Sequence, residues 1–221
     1  MARRPNEPSE ESFLKDVANH RLTIVRDDDL HRHLRFARPG TGCMHFDLIT
    51  WPGYLCFCGD MGCYVFSRLT DMFEFFRRPG TGPVKFDTRY WAEKLQSTAT
   101  CDGHVEYSAD RVRAWVAEKI QEFKEQIVDR HVDEPERASE LIAELIKAIE
   151  QDVLSEVDDG SHAAYTALRD FKHAGRHWFQ DSWEVNFQEY TFRFIWCCHA
   201  LVWGIRQYDA AKAQASAGAI A

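Results

Sequence analysis

Between Arg21 and Ser67 the chain alternates apolar and polar residues in short runs, each broken by residues that turn a backbone. Successive side chains on an extended strand point to opposite faces, so such alternation makes one face apolar and leaves the other wet. The runs are Arg21–Arg26, His31–Arg38, Cys43–Trp51, Tyr54–Cys58 and Cys63–Ser67. Between them lie Asp27-Asp28-Asp29, Pro39-Gly40-Thr41-Gly42, Pro52-Gly53 and Gly59-Asp60-Met61-Gly62. Aspartate bonds its own backbone, proline presets one φ and glycine frees another. The pattern predicts an antiparallel β-meander with one face on a core.

The apolar positions also fix a register. Pairing Phe36 with Phe46 and Leu34 with Leu48 sends both pairs inward, which sets Arg35 opposite Asp47 on the other face. Asp47 then reads as half of a cross-strand ion pair.

After Ser67 the period changes to that of helices. Thr70 is placed to cap a short helix to Arg77, Asp87 another through Leu95, and Ser108 a longer one with Val112, Trp115, Val116, Phe123 and Ile127 on one stripe. Pro135 opens the next, which Asp158-Asp159-Gly160 stops, and Ser161 begins another to about His173. The last predicted helix, about Asn186 to Tyr208, is apolar on more than one face and so is expected to be buried. The fold class is α+β: an N-terminal antiparallel β-meander packed against a mostly helical C-terminal half. One domain is expected over 13–209, sheet-rich over 13–77 and helical over 78–209, with loose ends at 1–12 and 210–221.

A formal net charge of −8 argues against a protein that tracks nucleic-acid phosphates along its whole surface. A local patch remains, because Arg32, Arg35, Arg38, Arg77 and Arg78 gather near two glycine-rich loops with Trp51 and Trp91 close by. Seven cysteines and a polar start without an apolar core segment point to a reducing cytoplasm rather than a secreted disulfide framework. The longest apolar stretch, Phe194 to Ile205, is too short to span a bilayer, so no membrane association is expected.

Chemistry-bearing residues are present but no complete constellation is. Cys56-x-Cys58 with Cys63, Cys43 and His45 resembles a metal cluster but lacks the second paired spacing of a zinc site, so no metal or other cofactor is expected. The three hairpin cysteines then read as small core residues. His31-x-His33 and His45-x-Asp47 each alternate onto one strand face, and Asp60 sits on a glycine-flanked turn. His33, His45, Asp47 and Asp60 define an alternative reading, a small metal-dependent or acid–base enzyme acting on a nucleotide. Nucleotide-loop, nucleophile-elbow and zinc-protease spacings do not occur. Cys197-Cys198-His199 lies in the buried-looking helix and reads as packing. The segment Phe36 to Trp51 recurs from Phe76 to Trp91, with nine matching positions, but no third copy follows to make a repeat fold. The candidate binding residues are Arg35, Arg38, His45, Asp47, Trp51 and Asp60.

Several strings carry a resemblance. They are Phe13-Leu14-Lys15-Asp16-Val17, Arg32 to Thr41, Phe46 to Gly53, Gly59 to Gly62, Asp71 to Arg77, Glu189 to Cys198 and Trp203-Gly204-Ile205. With them the chain resembles a family of uncharacterised accessory proteins encoded by tailed bacteriophages and prophages. The resemblance implies a viral accessory protein acting in the host cytoplasm on a host or phage macromolecule, and it supplies no catalytic residues.

Overall fold

The computed structural model describes residues 7–78, 85–98 and 103–218. Helix α1 (Glu10–Asp16) leads into five strands, β1 (Arg21–Asp28), β2 (His31–Ala37), β3 (Phe46–Trp51), β4 (Tyr54–Gly59) and β5 (Gly62–Ser67). Helices α2 (Met72–Phe76) and α3 (Thr88–Ala92) follow, then a sixth strand, β6 (Leu95–Thr98). The six strands form one sheet in sequence order, each antiparallel to the next. The register across β2 and β3 is the expected one: Phe36 faces Phe46, Leu34 faces Leu48 and Arg35 faces Asp47.

Strand β6 occupies a place where the sequence reading extends a helix to Leu95. The Asp87-capped helix stops at Ala92, and Lys94 offers its carbonyl to the Ser67 amide at 3.0 Å. An open β5 edge supplies ladder partners that a lone extra helical turn cannot match.

The last helix, α7 (Phe192–Gly218), covers the inner face of the sheet. It starts later than expected because the Thr191 hydroxyl accepts from the Phe194 amide at 3.2 Å and so caps it. It also runs on past Tyr208 through the alanine-rich segment expected to be loose, since alanine has the best helix propensity. The N-terminal end is likewise ordered from a Ser9–Ser12 capping box onward. Side chains from the two layers interlock: Phe36, Phe46, Leu48, Phe57, Trp196 and Leu201 are fully buried. Gly204 brings the helix close, since a Cβ there would stand 2.9 Å from Leu48 Cδ1. Among the described residues no helix is long and apolar enough to cross a membrane.

The chain divides into two compact units, placed differently from the sheet-rich 13–77 and helical 78–209 division of the sequence reading. One comprises residues up to Val105 and from Tyr190, and so includes α7; the other is Glu106–Glu189. The second is built on α4 (Ala109–Arg130), α5 (Pro135–Ile149), a π-helical continuation at Glu150–Leu154 and α6 (Ser161–Asp170). Val112, Val116, Phe123, Leu145, Ile149 and Leu168 form its own core.

In the sheet-bearing unit, polar groups tie the far end of α7 to strand and helix ends. Arg32 makes a two-pronged pair with Asp71, at 2.8 and 3.0 Å, and lies over the Phe73 ring at 4.7 Å. Asp71 also caps α2 by accepting from the Phe73 amide, the place expected for Thr70. Tyr208 and Lys212 each donate to Asp27 at 2.7 Å. Burial works to raise the Asp71 carboxyl, but Arg32 and the Phe73 amide outweigh it and hold it below the usual carboxylate range. Lys212 first, then Tyr208, does the same for Asp27 against partial burial.

Both folded-state values are depressed, so their stabilisation is complete above the unfolded carboxylate value and is lost as pH falls through the folded one. Thermal melts should therefore hold steady down to about pH 5 and drop below about pH 4. In Asp71→Asn the acid-side drop should be shallower. An acid profile unchanged by that substitution would exclude Asp71 as a contributor.

Candidate functional site

The inner face of the sheet is filled by α7, and the other face is where polar groups and exposed aromatics collect. Its positions follow from strand alternation. Leu34, Phe36, Phe46, Leu48, Leu55, Phe57, Tyr64 and Phe66 point inward and are buried, so His33, Arg35, Asp47, Ile49, Trp51, Cys56, Cys58 and Cys63 point outward. The hairpin cysteines are thus not core residues. Their strands bury the large apolar neighbours on either side and turn the thiols to the opposite face.

At the middle of this face, Asp47 Oδ2 receives Arg35 at 3.3 Å, and His33 Nε2 stands 3.5 Å away. The second distance is outside hydrogen-bond reach, so His33 stands beside the carboxylate without bonding it. Asp47 Oδ1 is buried and accepts no hydrogen bond among the described residues. The cross-strand pair is present and leaves Asp47 acceptor capacity unused.

At one end of the face the loop after β2 and the turn after β4 are bound together. His45 was expected to share a strand face with Asp47, but β3 begins only at Phe46. Met44 takes a positive φ of 57°, the His45 ring bonds the Gly42 carbonyl at 2.6 Å, and the residues form a tight turn instead of a strand. Asp60 accepts from the Met44 amide at 2.9 Å and gives its own amide to the His45 carbonyl at 3.0 Å. Asp60 is therefore a loop staple as well as an exposed group. Arg38 is exposed, with no ion pair among the described residues. The second copy of the glycine-rich loop, at Pro79 to Gly82, lies outside the described residues.

At the opposite end, Trp51 stacks on Tyr54 with ring centroids 5.3 Å apart and planes 15° apart. Each remains more than a third exposed, at 37% and 38%. The two flank the Pro52-Gly53 turn, where Gly53 adopts a φ of 86° and donates its amide to Thr70 at 2.9 Å. Beside Trp51 is an open depression of about 530 Å³ lined by Arg26, His31, His33, Ile49 and Thr50 among others. Val25, at the bulge of β1, adds a 55% exposed apolar side chain to its rim.

The six candidate residues thus fall into three groups along one face and its rims: Arg35 with Asp47, then Arg38, His45 and Asp60, then Trp51. Asp47 and Trp51 are four strand residues apart, about 13 Å. The His33, His45, Asp47 and Asp60 constellation is not assembled, because His45 and Asp60 are engaged in the loop. No family model, curated protein or solved structure matches this chain.

Nothing in this arrangement supplies an activated nucleophile. Burial, then the neighbouring Cys63, pushes the Cys56 thiol up to about 12, and the same causes raise Cys58. Both are neutral thiols at physiological pH. Among the described residues no group of three or more His, Cys, Asp or Glu is arranged to hold a metal ion. Two features of the face were not read from sequence, Tyr54 as the stacking partner of Trp51 and the outward thiols. The first follows from the two-residue turn that makes positions 51 and 54 opposite; the second follows from the same alternation that gave the register.

Proposed function

We propose that this protein is a binding protein: an accessory factor that engages a host or phage macromolecule in the bacterial cytoplasm and thereby blunts a host defence system. The resemblance of its strings to phage and prophage proteins supports the setting. The observation that carries the binding reading is the Trp51–Tyr54 stack, a third exposed at the end of a sheet face that also bears Arg35 and His33. Preordered aromatics and arginine are the side chains that most often anchor interfaces. Arg26 and Arg35 are paired with Asp28 and Asp47, whereas Arg38 beside this face has no ion pair among the described residues, and that cation fits an acidic protein surface as the partner.

The test begins with capture of the partner from infected cells, followed by affinity measurement for Arg38→Ala, Trp51→Ala and Asp60→Ala, each first shown to fold by circular dichroism. Trp51→Ala should weaken binding about 30-fold, the equivalent of ~2 kcal/mol at a desolvated anchor. Asp60→Ala should act through the loop it staples, and Arg38→Ala through charge, with a stronger effect at low salt. Wild-type affinity in all three would remove this face as the site. A partner that proves to be RNA or DNA, with affinity falling steeply with salt, would replace the protein reading by a nucleic-acid one.

A further inference from the structure

The outer face of the β4–β5 hairpin presents three thiols that neither the core nor the stacked aromatics use. Cys58 stands directly opposite Cys63, while Cys56 is two pairs further on, opposite Val65. The Cys56 sulfur is 3.8 Å from that of Cys63, so two thiols compete for one partner. Backbone geometry favours the other pair. Directly opposed residues on antiparallel strands have Cβ atoms about 4.5–5.5 Å apart, whereas diagonal neighbours are about 7–8 Å apart. A disulfide needs Cα atoms within about 4.4–6.8 Å, which an opposed pair meets with side-chain rotation and a diagonal pair does not meet without moving the strands. Cys58 is also exposed, so a reagent can reach it.

We propose that Cys58 and Cys63 are a redox-reversible thiol pair that closes to a cross-strand disulfide by exchange with a small disulfide of the oxidised-glutathione type. The Cys58 thiolate attacks one sulfur of the small disulfide, forming a mixed disulfide and expelling one thiolate. The Cys63 thiolate then attacks the Cys58 sulfur, forming the protein disulfide and expelling the second. The two protons lost by the cysteines are taken up by the two released thiolates, so two cysteine thiols are oxidised and one small disulfide is reduced to two thiols. Because partial burial, Cys63 and Asp47 hold Cys58 above its ordinary value, the reaction is slow at neutral pH and quickens as pH rises. The closed bond spans the turn that carries Asp60, the residue stapling the Arg38–Gly42 loop.

The test uses full-length reduced protein incubated with oxidised glutathione at mildly alkaline pH. Free thiols are blocked with N-ethylmaleimide, and the unfolded chain is cut chemically at Met61, which lies between the two cysteines. The fragments on either side of Met61 should stay joined until a reductant is added, with two fewer thiols blocked than in untreated protein. In Cys58→Ser, at an exposed position that the fold does not need, the fragments should separate without reductant. Separation of the wild-type fragments would overturn the proposal. So would fragments that stay joined in Cys58→Ser, since the bond would then run from Cys56.

Discussion

Gly59→Ala is expected to destabilise the sheet-bearing unit by about 3 kcal/mol or more, at or beyond the upper end of what an added methyl group costs in a packed site. A Cβ at this position would lie 2.2 Å from the His45 carbonyl oxygen and 2.7 Å from Phe46 Cα. Both are backbone atoms, so no rotamer change relieves the overlap. Gly59 is paired with Phe46, and the same His45 carbonyl accepts the Asp60 amide at 3.0 Å. Moving β3 away to admit the methyl would strain that bond and the ladder beside it. Gly42→Ala is the matched control, because its Cβ would meet only the His45 ring at an ordinary 3.8 Å. Thermal melting should show Gly59→Ala lower by roughly 6 °C or more, with Gly42→Ala close to wild type. Equal melting of the two variants would mean that the strands part at little cost and that Gly59 is there for another reason.

The meander was legible because one signal, alternation, settles strand identity, facing and register together. Once Phe36 and Phe46 point inward, the opposition of Arg35 and Asp47 has no freedom left. Strand limits were less legible where side chains bond nearby backbone. Cys43 to His45 alternate as a strand would, yet the Asp60 carboxylate and the Gly42 carbonyl recruit Met44 and His45 into a turn. That competition is visible only when residues 16 apart in sequence are brought together. The sixth strand escaped for a related reason: Leu95–Thr98 is four residues long and owes its conformation to a β5 edge already in place.

The helices follow the same division. Ser108, Pro135 and Asp87 mark starts by local chemistry, and the structure begins α4, α5 and α3 there. The last helix was legible in burial and misjudged in length, because the absence of apolar periodicity past Tyr208 says nothing against an alanine-rich helix in water. The candidate site shows where sequence reading ends. It identified polar groups on one face, but whether they meet depends on distance along the strand, and the structure sorts them into three groups. It also read the hairpin thiols as core from the general habits of cysteine, when the alternation in Leu55-Cys56-Phe57-Cys58 already placed them outward.

Trp196→Ala should cost about 3–5 kcal/mol, because it removes the largest fully buried side chain that α7 packs against the sheet. Trp196 is fully buried, with edge contacts to Phe13, Phe46 and Phe57 at 4.9, 5.7 and 6.5 Å between ring centroids. Those three rings come from α1, β3 and β4, so one cavity would loosen helix and sheet together. The indole N–H also donates to Asp16 at 2.9 Å, and its loss leaves that carboxylate without this donor. Trp196→Phe separates the two contributions, since it keeps most of the ring contacts and removes the hydrogen bond. The expected order of melting temperature is wild type, then Trp196→Phe, then Trp196→Ala, with Phe192→Ala near wild type because Phe192 is 41% exposed at the start of the same helix. If Trp196→Ala melted with Phe192→Ala, α7 would not be the element that closes the inner face of the sheet, and the open outer face would lose its structural support as the surface left for a partner.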